Sequence, residues 1–178
     1  EAATLNLIRP TKKETRMIKR KLLSALLLLG ISGLAGSTRK ATNGVILAGS
    51  YTDDADTRGI RVLSFNRRNG ALAETAAVSD APNASYLVWS KDRRFVYAVT
   101  ENESETDGVS AFRFNAENHT LTPINQQPAH GSAACYLALD HSGRHLAVAN
   151  YLSGNVSLYD LDGDGAISPL RQSIQLPD

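Results

Sequence analysis

Asp160, Asp162 and Asp164 lie two residues apart in "DLDGDGAISPLR" and Gly165 follows them. This is the carboxylate spacing with which an EF-hand loop begins to chelate calcium. Ile167 and Ser168 also suit the eighth and ninth loop positions. The loop must end on a bidentate glutamate, however, and Arg171 occupies that place, while Pro169 blocks an exiting helix. Upstream, "NVSLYDL" alternates as a strand. The stretch is therefore expected to be a hairpin turn, and no metal site is expected in the chain.

Other residues invite chemistry and are weighed the same way. "ENESETDG" gathers Glu101, Glu103, Glu105 and Asp107, a run that lacks fixed geometry and reads as a solvated loop. Cys135 is the single cysteine, so it makes no intrachain disulfide. In the apolar run "AACYLAL" it reads as a small buried hydrophobe, with nothing to hold His130, His141 or His145 against its sulfur. Trp89 in "YLVWS" reads as core. Asn83, Asn102, Asn118 and Asn155 begin N-x-S/T triplets, which matter only in a eukaryotic secretory context.

The elements that position these residues repeat. "GIRVLSFNRRNGALAE", "GVSAFRFNAENHTLTP" and "NVSLYDLDGDGAISP" align so that Ile60, Val109 and Val156 correspond, at intervals of about 48 residues. Ahead of each stands a β-rich segment: "VILAGSYT", "RFVYAVTE" and "HLAVANYL". "SYLVWSKDRR" matches "CYLALDHSGR", aligning Tyr86 with Tyr136. Each segment is short, alternating or β-branched, and bounded by turn residues such as those of "KDRR" and "HSGR", where Gly143 gives the backbone freedom.

Four short strands per repeat predict an all-β fold of β-propeller blades, each of four antiparallel strands. A closed propeller needs at least about four blades. Residues 45–178 hold two to three, so this sequence is expected to be part of a longer propeller. Its open strand edges should pair with the remaining blades or with other copies of the chain.

The N-terminal part is of another kind. Lys19, Arg20 and Lys21 precede an apolar run from Leu22 to Ile31 and then small residues, so Met17–Ser37 reads as a secretory signal peptide. The run is short for a membrane span, and no stable span is expected after cleavage. Residues 1–16 read as upstream or expression-derived sequence without structure, 38–44 as a linker and 45–178 as the domain. The expected location is periplasmic or secreted, or cytoplasmic if Met17–Ser37 is not used. A net charge of +1, from 19 basic and 18 acidic residues spread along the chain, argues against a nucleic-acid partner.

"GSYTDDADTRGIRVLSFNRRNGAL", "NASYLVWSKDRRFVYAVTE" and "GVSAFRFNAENHTLTPINQQPAHGSAACYLALDHSGRHLAVANYLSGNVSLYDLDGDGAI" together resemble the opening third of the lactonase family of seven-bladed β-propellers. That family includes propeller-type 6-phosphogluconolactonases. The resemblance implies hydrolysis of a small sugar lactone without a cofactor. It also implies a Gly-Pro-His-Ala-His motif with an accompanying arginine and glutamate, none of which matches a position of this sequence, so the chain alone is expected to be inactive.

The candidates that remain are the repeat-equivalent strand ends, expected at the rim of the central channel. Glu101 is the candidate base or sugar-hydroxyl acceptor, and Tyr51, Asn150 and Tyr151 are the candidate substrate-binding donors. The alternative is a non-catalytic exported propeller for binding or cell-surface interaction, since "YAVTE" and "LAVANY" are similar to Tyr-Val-Thr-Asn surface repeats.

Overall fold

The computed structural model describes residues 43–52, 56–78, 81–102 and 107–177. The readings of residues 1–16 and 17–37, and those of Glu103 and Glu105, fall outside them. Among the described residues every regular element is a strand. These are β1 (Gly44–Gly49), β2 (Ile60–Phe65), β3 (Leu72–Val78), β4 (Leu87–Trp89), β5 (Phe95–Thr100), β6 (Gly108–Asn115), β7 (Thr120–Pro128), β8 (Ala134–Leu139), β9 (His145–Asn150), β10 (Asn155–Leu161) and β11 (Ile167–Gln175).

They form three antiparallel sheets ordered β1-β2-β3, β4-β5-β6-β7 and β8-β9-β10-β11. The last two are four-stranded blades whose strands neighbour one another in chain order, as short hairpin connections require. Among the described residues the first sheet has three strands. The register repeats as well: Gly49 faces Ile60, Val99 faces Val109 and Ala149 faces Val156.

Side-chain alternation explains how the sheets stack. Every residue of β5 is buried, because successive side chains point to opposite faces and both faces are covered. Val96 and Ala98 pack with Ile60, Val62 and Phe112 in one apolar layer. Phe95, Tyr97 and Val99 pack with Leu137, Leu146, Val148 and Tyr159 in the next. Trp89 joins the first layer and meets Phe114 edge-on at 4.9 Å, as expected of a core residue. β9 is more deeply buried at alternate positions only: Leu146, Val148 and Asn150.

The turns are set by local chemistry. In "HSGR" the Asp140 carboxylate accepts the backbone N–H groups of Ser142, Arg144 and His145, and Gly143 takes φ +71°. The equivalent turn puts Arg93 at φ +59°, a conformation that costs an L-residue roughly 1–2 kcal/mol. "DLDGDG" is the β10–β11 turn. Asp162 Oδ1 accepts the N–H groups of Asp164 and Ala166, so that carboxylate is used to close the hairpin. Among the described residues no three acidic, histidine or cysteine side chains group as metal ligands.

Candidate active-site rim

The C-terminal ends of β1, β5 and β9 meet at one end of the stacked sheets, where Asn83 bonds both Thr52 and Glu101 and Ala133 bonds both Asn102 and Tyr151. Glu101 and Tyr151 follow β5 and β9 directly, and Tyr51 follows β1 after Ser50. Tyr51 and Tyr151 are 62% and 71% exposed, unusual for aromatics that serve only packing. The Tyr51 hydroxyl donates to Glu101 Oε2 at 2.8 Å. Ser85 Oγ donates to the same oxygen at 2.5 Å from the start of the inner strand β4.

Asn83 holds this trio in register. Its carbonyl accepts the Glu101 N–H at 3.0 Å, and its Oδ1 accepts the Thr52 N–H at 2.9 Å. Its Nδ2 donates to Asn102 Oδ1 at 2.7 Å. One side chain thus ties the end of β1 to the end of β5 across two sheets, and it does so from the left-handed region, at φ +49°, which asparagine tolerates. The Glu101 loop returns through Asp107, which is 2% exposed. Its Oδ1 accepts the Asn102 N–H at 2.8 Å, and its Oδ2 the Ala134 N–H at 2.7 Å from the next blade. This corrects the reading of the whole acidic run as a solvated loop: Asp107 is drawn inside because two backbone donors need an acceptor there.

The inner strands carry further groups to the same end. Ser85-Tyr86 and Cys135-Tyr136 occupy equivalent positions, and the two tyrosine rings lie 4.6 Å apart, tilted by 42°. Burial, with a hydrogen bond to Tyr136 and its charge, pushes Tyr86 up to about 12, so it is a neutral phenol at neutral pH. Cys135 falls at a register shift between β8 and β9, the kind of bulge that re-aims a side chain. Its thiol is half-buried and donates to the Ala149 carbonyl at 3.7 Å. Burial and then the Glu101 carboxylate push its pKa up, the reverse of what a nucleophilic cysteine needs.

Asn150 sits lower than its rim assignment implied. It is 2% exposed, and its Nδ2 donates to the Ala129 carbonyl at 3.1 Å and Ser157 Oγ at 3.4 Å. The cause is alternation: Asn150 falls on the inward face of β9 and Tyr151 is the residue that turns out. Asn150 Oδ1 has no hydrogen-bond partner among the described residues. Beside it Asn155, Ser157 and Tyr159 donate to the carbonyls of His130, Ala129 and Pro128. These bonds fix the crossing from β7 to β8 that delivers Cys135 and Tyr136. They also use the Asn155 amide, whose burial closes that triplet to modification.

Twisted antiparallel blades, stacked face to face with polar strand ends gathered at one end, define the chain as a β-propeller segment. The family described as lactonase, 7-bladed beta-propeller, matches residues 45–177, and the chain belongs to that family. It is 31% identical over 128 residues to a 6-phosphogluconolactonase of Formosa agariphila, covering 71% of this chain and 36% of that one. It is 25% identical over 126 residues to the 6-phosphogluconolactonase of Bacillus subtilis, covering 70% of this chain and 36% of the relative. Among solved structures, the periplasmic gluconolactonase of Pseudomonas aeruginosa superposes with a TM-score of 0.67 at 28% identity, covering 74% of this chain and 38% of that one. The chain therefore spans about a third of the length of these relatives.

Ser85, Tyr86, Cys135 and Tyr136 were not among the sequence-based site candidates. The signal was present in the repeat, which aligns Ser85 with Cys135 and Tyr86 with Tyr136 at the entry of each inner strand.

Proposed function

We propose that this chain supplies one side of the substrate site of a propeller that hydrolyses sugar lactones, and that Glu101 binds the sugar. Glu101 carries this reading. Its Oε2 is held by Tyr51 and Ser85, while Oε1 has no partner among the described residues and is left to accept a sugar hydroxyl. Tyr51 bonds it, and Tyr151 ends the equivalent strand of the next blade; both are exposed amphipathic rings suited to a polyol.

In the reaction, water attacks the lactone carbonyl as a base removes its proton. The ring C–O bond then breaks, and the departing ring oxygen takes up a proton to give the open sugar acid. The histidine motif implied by the family resemblance is absent from these 178 residues, so the base and the oxyanion donors belong to other blades. Similarity to a periplasmic relative, together with the signal pattern of Met17–Ser37, supports export, with 38–44 as the linker to the domain. Among the described residues no helix is long and apolar enough to cross a membrane.

The test uses the complete propeller containing this sequence, with δ-gluconolactone and its 6-phosphate as substrates. Turnover of either is expected, and Glu101→Gln should lower kcat/KM by about 10- to 100-fold, the loss of one charged hydrogen bond. The 178-residue chain alone should not exceed the spontaneous rate. No turnover by the complete propeller would refute the lactonase reading in favour of a binding module. Turnover unchanged by Glu101→Gln would remove Glu101 from the site.

A further inference from the structure

The opposite end of the blades carries a second concavity. The β4–β5 turn (90–94), the β8–β9 turn (140–144) and the β10–β11 turn (162–166) border a cleft of about 560 Å³ between the two four-stranded sheets. Tyr97, the lining residue furthest along β5, precedes Glu101 by four positions, about 13 Å of extended chain.

The cleft holds donors that the fold does not use. Lys91 and Arg144 line it, both exposed, and neither side chain has a hydrogen-bond or ion-pair partner among the described residues. The repeat shows why Arg144 is left over. Its counterpart Arg94 lies 3.7 Å from Asp92 and over the Phe95 ring at 4.9 Å. In the Arg144 turn those two positions are Ser142 and His145, and His145 is engaged with Asp160 at 2.8 Å. Tyr97 also lines the cleft. It is 2% exposed, and its hydroxyl has no protein partner among the described residues.

Two acids share the wall but are largely occupied. Asp92 accepts from Ser90 Oγ at 2.7 Å and from the Arg94 N–H at 3.1 Å. Asp162 closes its own turn through Oδ1. Burial, then the Asp162 and Asp92 carboxylates, push Tyr97 up to about 12, which keeps its hydroxyl a donor. An unpaired ammonium and an unpaired guanidinium, which can only donate, stand with a phenol O–H that can donate too, a set complementary to an oxyanion.

We propose that this cleft is a second binding site, for a small hydroxylated oxyanion whose carboxylate or phosphate is held by Lys91 and Arg144 and receives or neighbours the Tyr97 hydroxyl. Sugar acids and sugar phosphates share this chemistry.

Inorganic phosphate, D-gluconate and neutral sorbitol are titrated into the complete propeller containing this sequence while the backbone amides of Gly143 and Gly163 are followed by NMR. Phosphate, gluconate or both should shift these amides with a Kd of about 1–10 mM, the range of a few charged contacts, and sorbitol should not. Arg144→Ala and Lys91→Ala, both surface changes checked by unchanged melting, should each weaken binding at least about fivefold. Response to phosphate alone or gluconate alone supports the site and identifies its head group. The proposal is overturned if neither anion binds below about 50 mM, if both variants bind as wild type, or if Glu101→Gln abolishes the shifts.

Discussion

Asp107→Ala should be among the most damaging single changes in the chain. The carboxylate is 2% exposed and accepts two backbone N–H groups, Asn102 at 2.8 Å and Ala134 at 2.7 Å, in two different blades. Truncation orphans both donors, and hydrogen bonds to a charged acceptor are worth about 1.5–3 kcal/mol each, so a loss of about 3–6 kcal/mol is expected. With an m-value near 2 kcal/mol/M, the urea midpoint should fall by about 2 M. Asp107→Asn keeps Oδ1 but aims an amide N–H₂ at the Ala134 N–H if Asn102 stays satisfied, so it should lose at least half as much. Equilibrium urea unfolding at low micromolar protein, followed by Trp89 fluorescence, reads both. Because Asn102 follows Glu101 directly, the variants should also loosen the Tyr51–Glu101 contact before global unfolding, seen as faster exchange of the Glu101 amide. A shift below about 0.5 M for both variants would refute the reasoning, since it would mean that water satisfies the two donors without cost.

The buried tyrosines predict alkaline instability. Tyr97 and Tyr159 are each pushed from 10.0 to about 12, chiefly by burial. Between those values the unfolded chain gives up protons that the folded chain keeps, so their stabilisation is intact below pH 10 and is lost as pH rises toward 12. The urea midpoint should fall from pH 9 to pH 11, and Tyr97→Phe should remove part of that fall; a flat profile would contradict it. The exposed edge of β1 predicts self-association. Ile46 is 39% exposed where its repeat equivalents Val96 and Leu146 are 0%, so Ile46→Lys should shift sedimentation toward monomer, and an unchanged distribution would clear that edge.

The all-β class, the four-strand repeat and the turns were legible in the sequence because each follows from local chemistry. Period-two alternation marks "HLAVAN" as a strand, and Pro169 with Arg171 removes the helix and the glutamate that a calcium loop needs. The strand ends Tyr51, Glu101 and Tyr151 were legible too, since repeat equivalence places them at one end without further information. The occupation of Glu101 Oε2 by Ser85 was not, because Ser85 enters on the inner strand and reaches Glu101 only once β4 pairs with β5. Asn150 and Asp107 went astray for a related reason: polar residues next to strand ends read as exposed, and whether one is buried depends on which orphaned donors or carbonyls the neighbouring sheet presents.

What the sequence alone determined, then, was the repeating strand pattern and the family it carries, because hydrophobic period and turn residues act over a few positions. Only the tertiary structure decided which of two adjacent polar residues turns inward, which acids are consumed by backbone donors, and which cations are left unpaired in the cleft. Those outcomes depend on hydrogen-bond partners brought from other turns and from the next sheet, and no local stretch of sequence contains them.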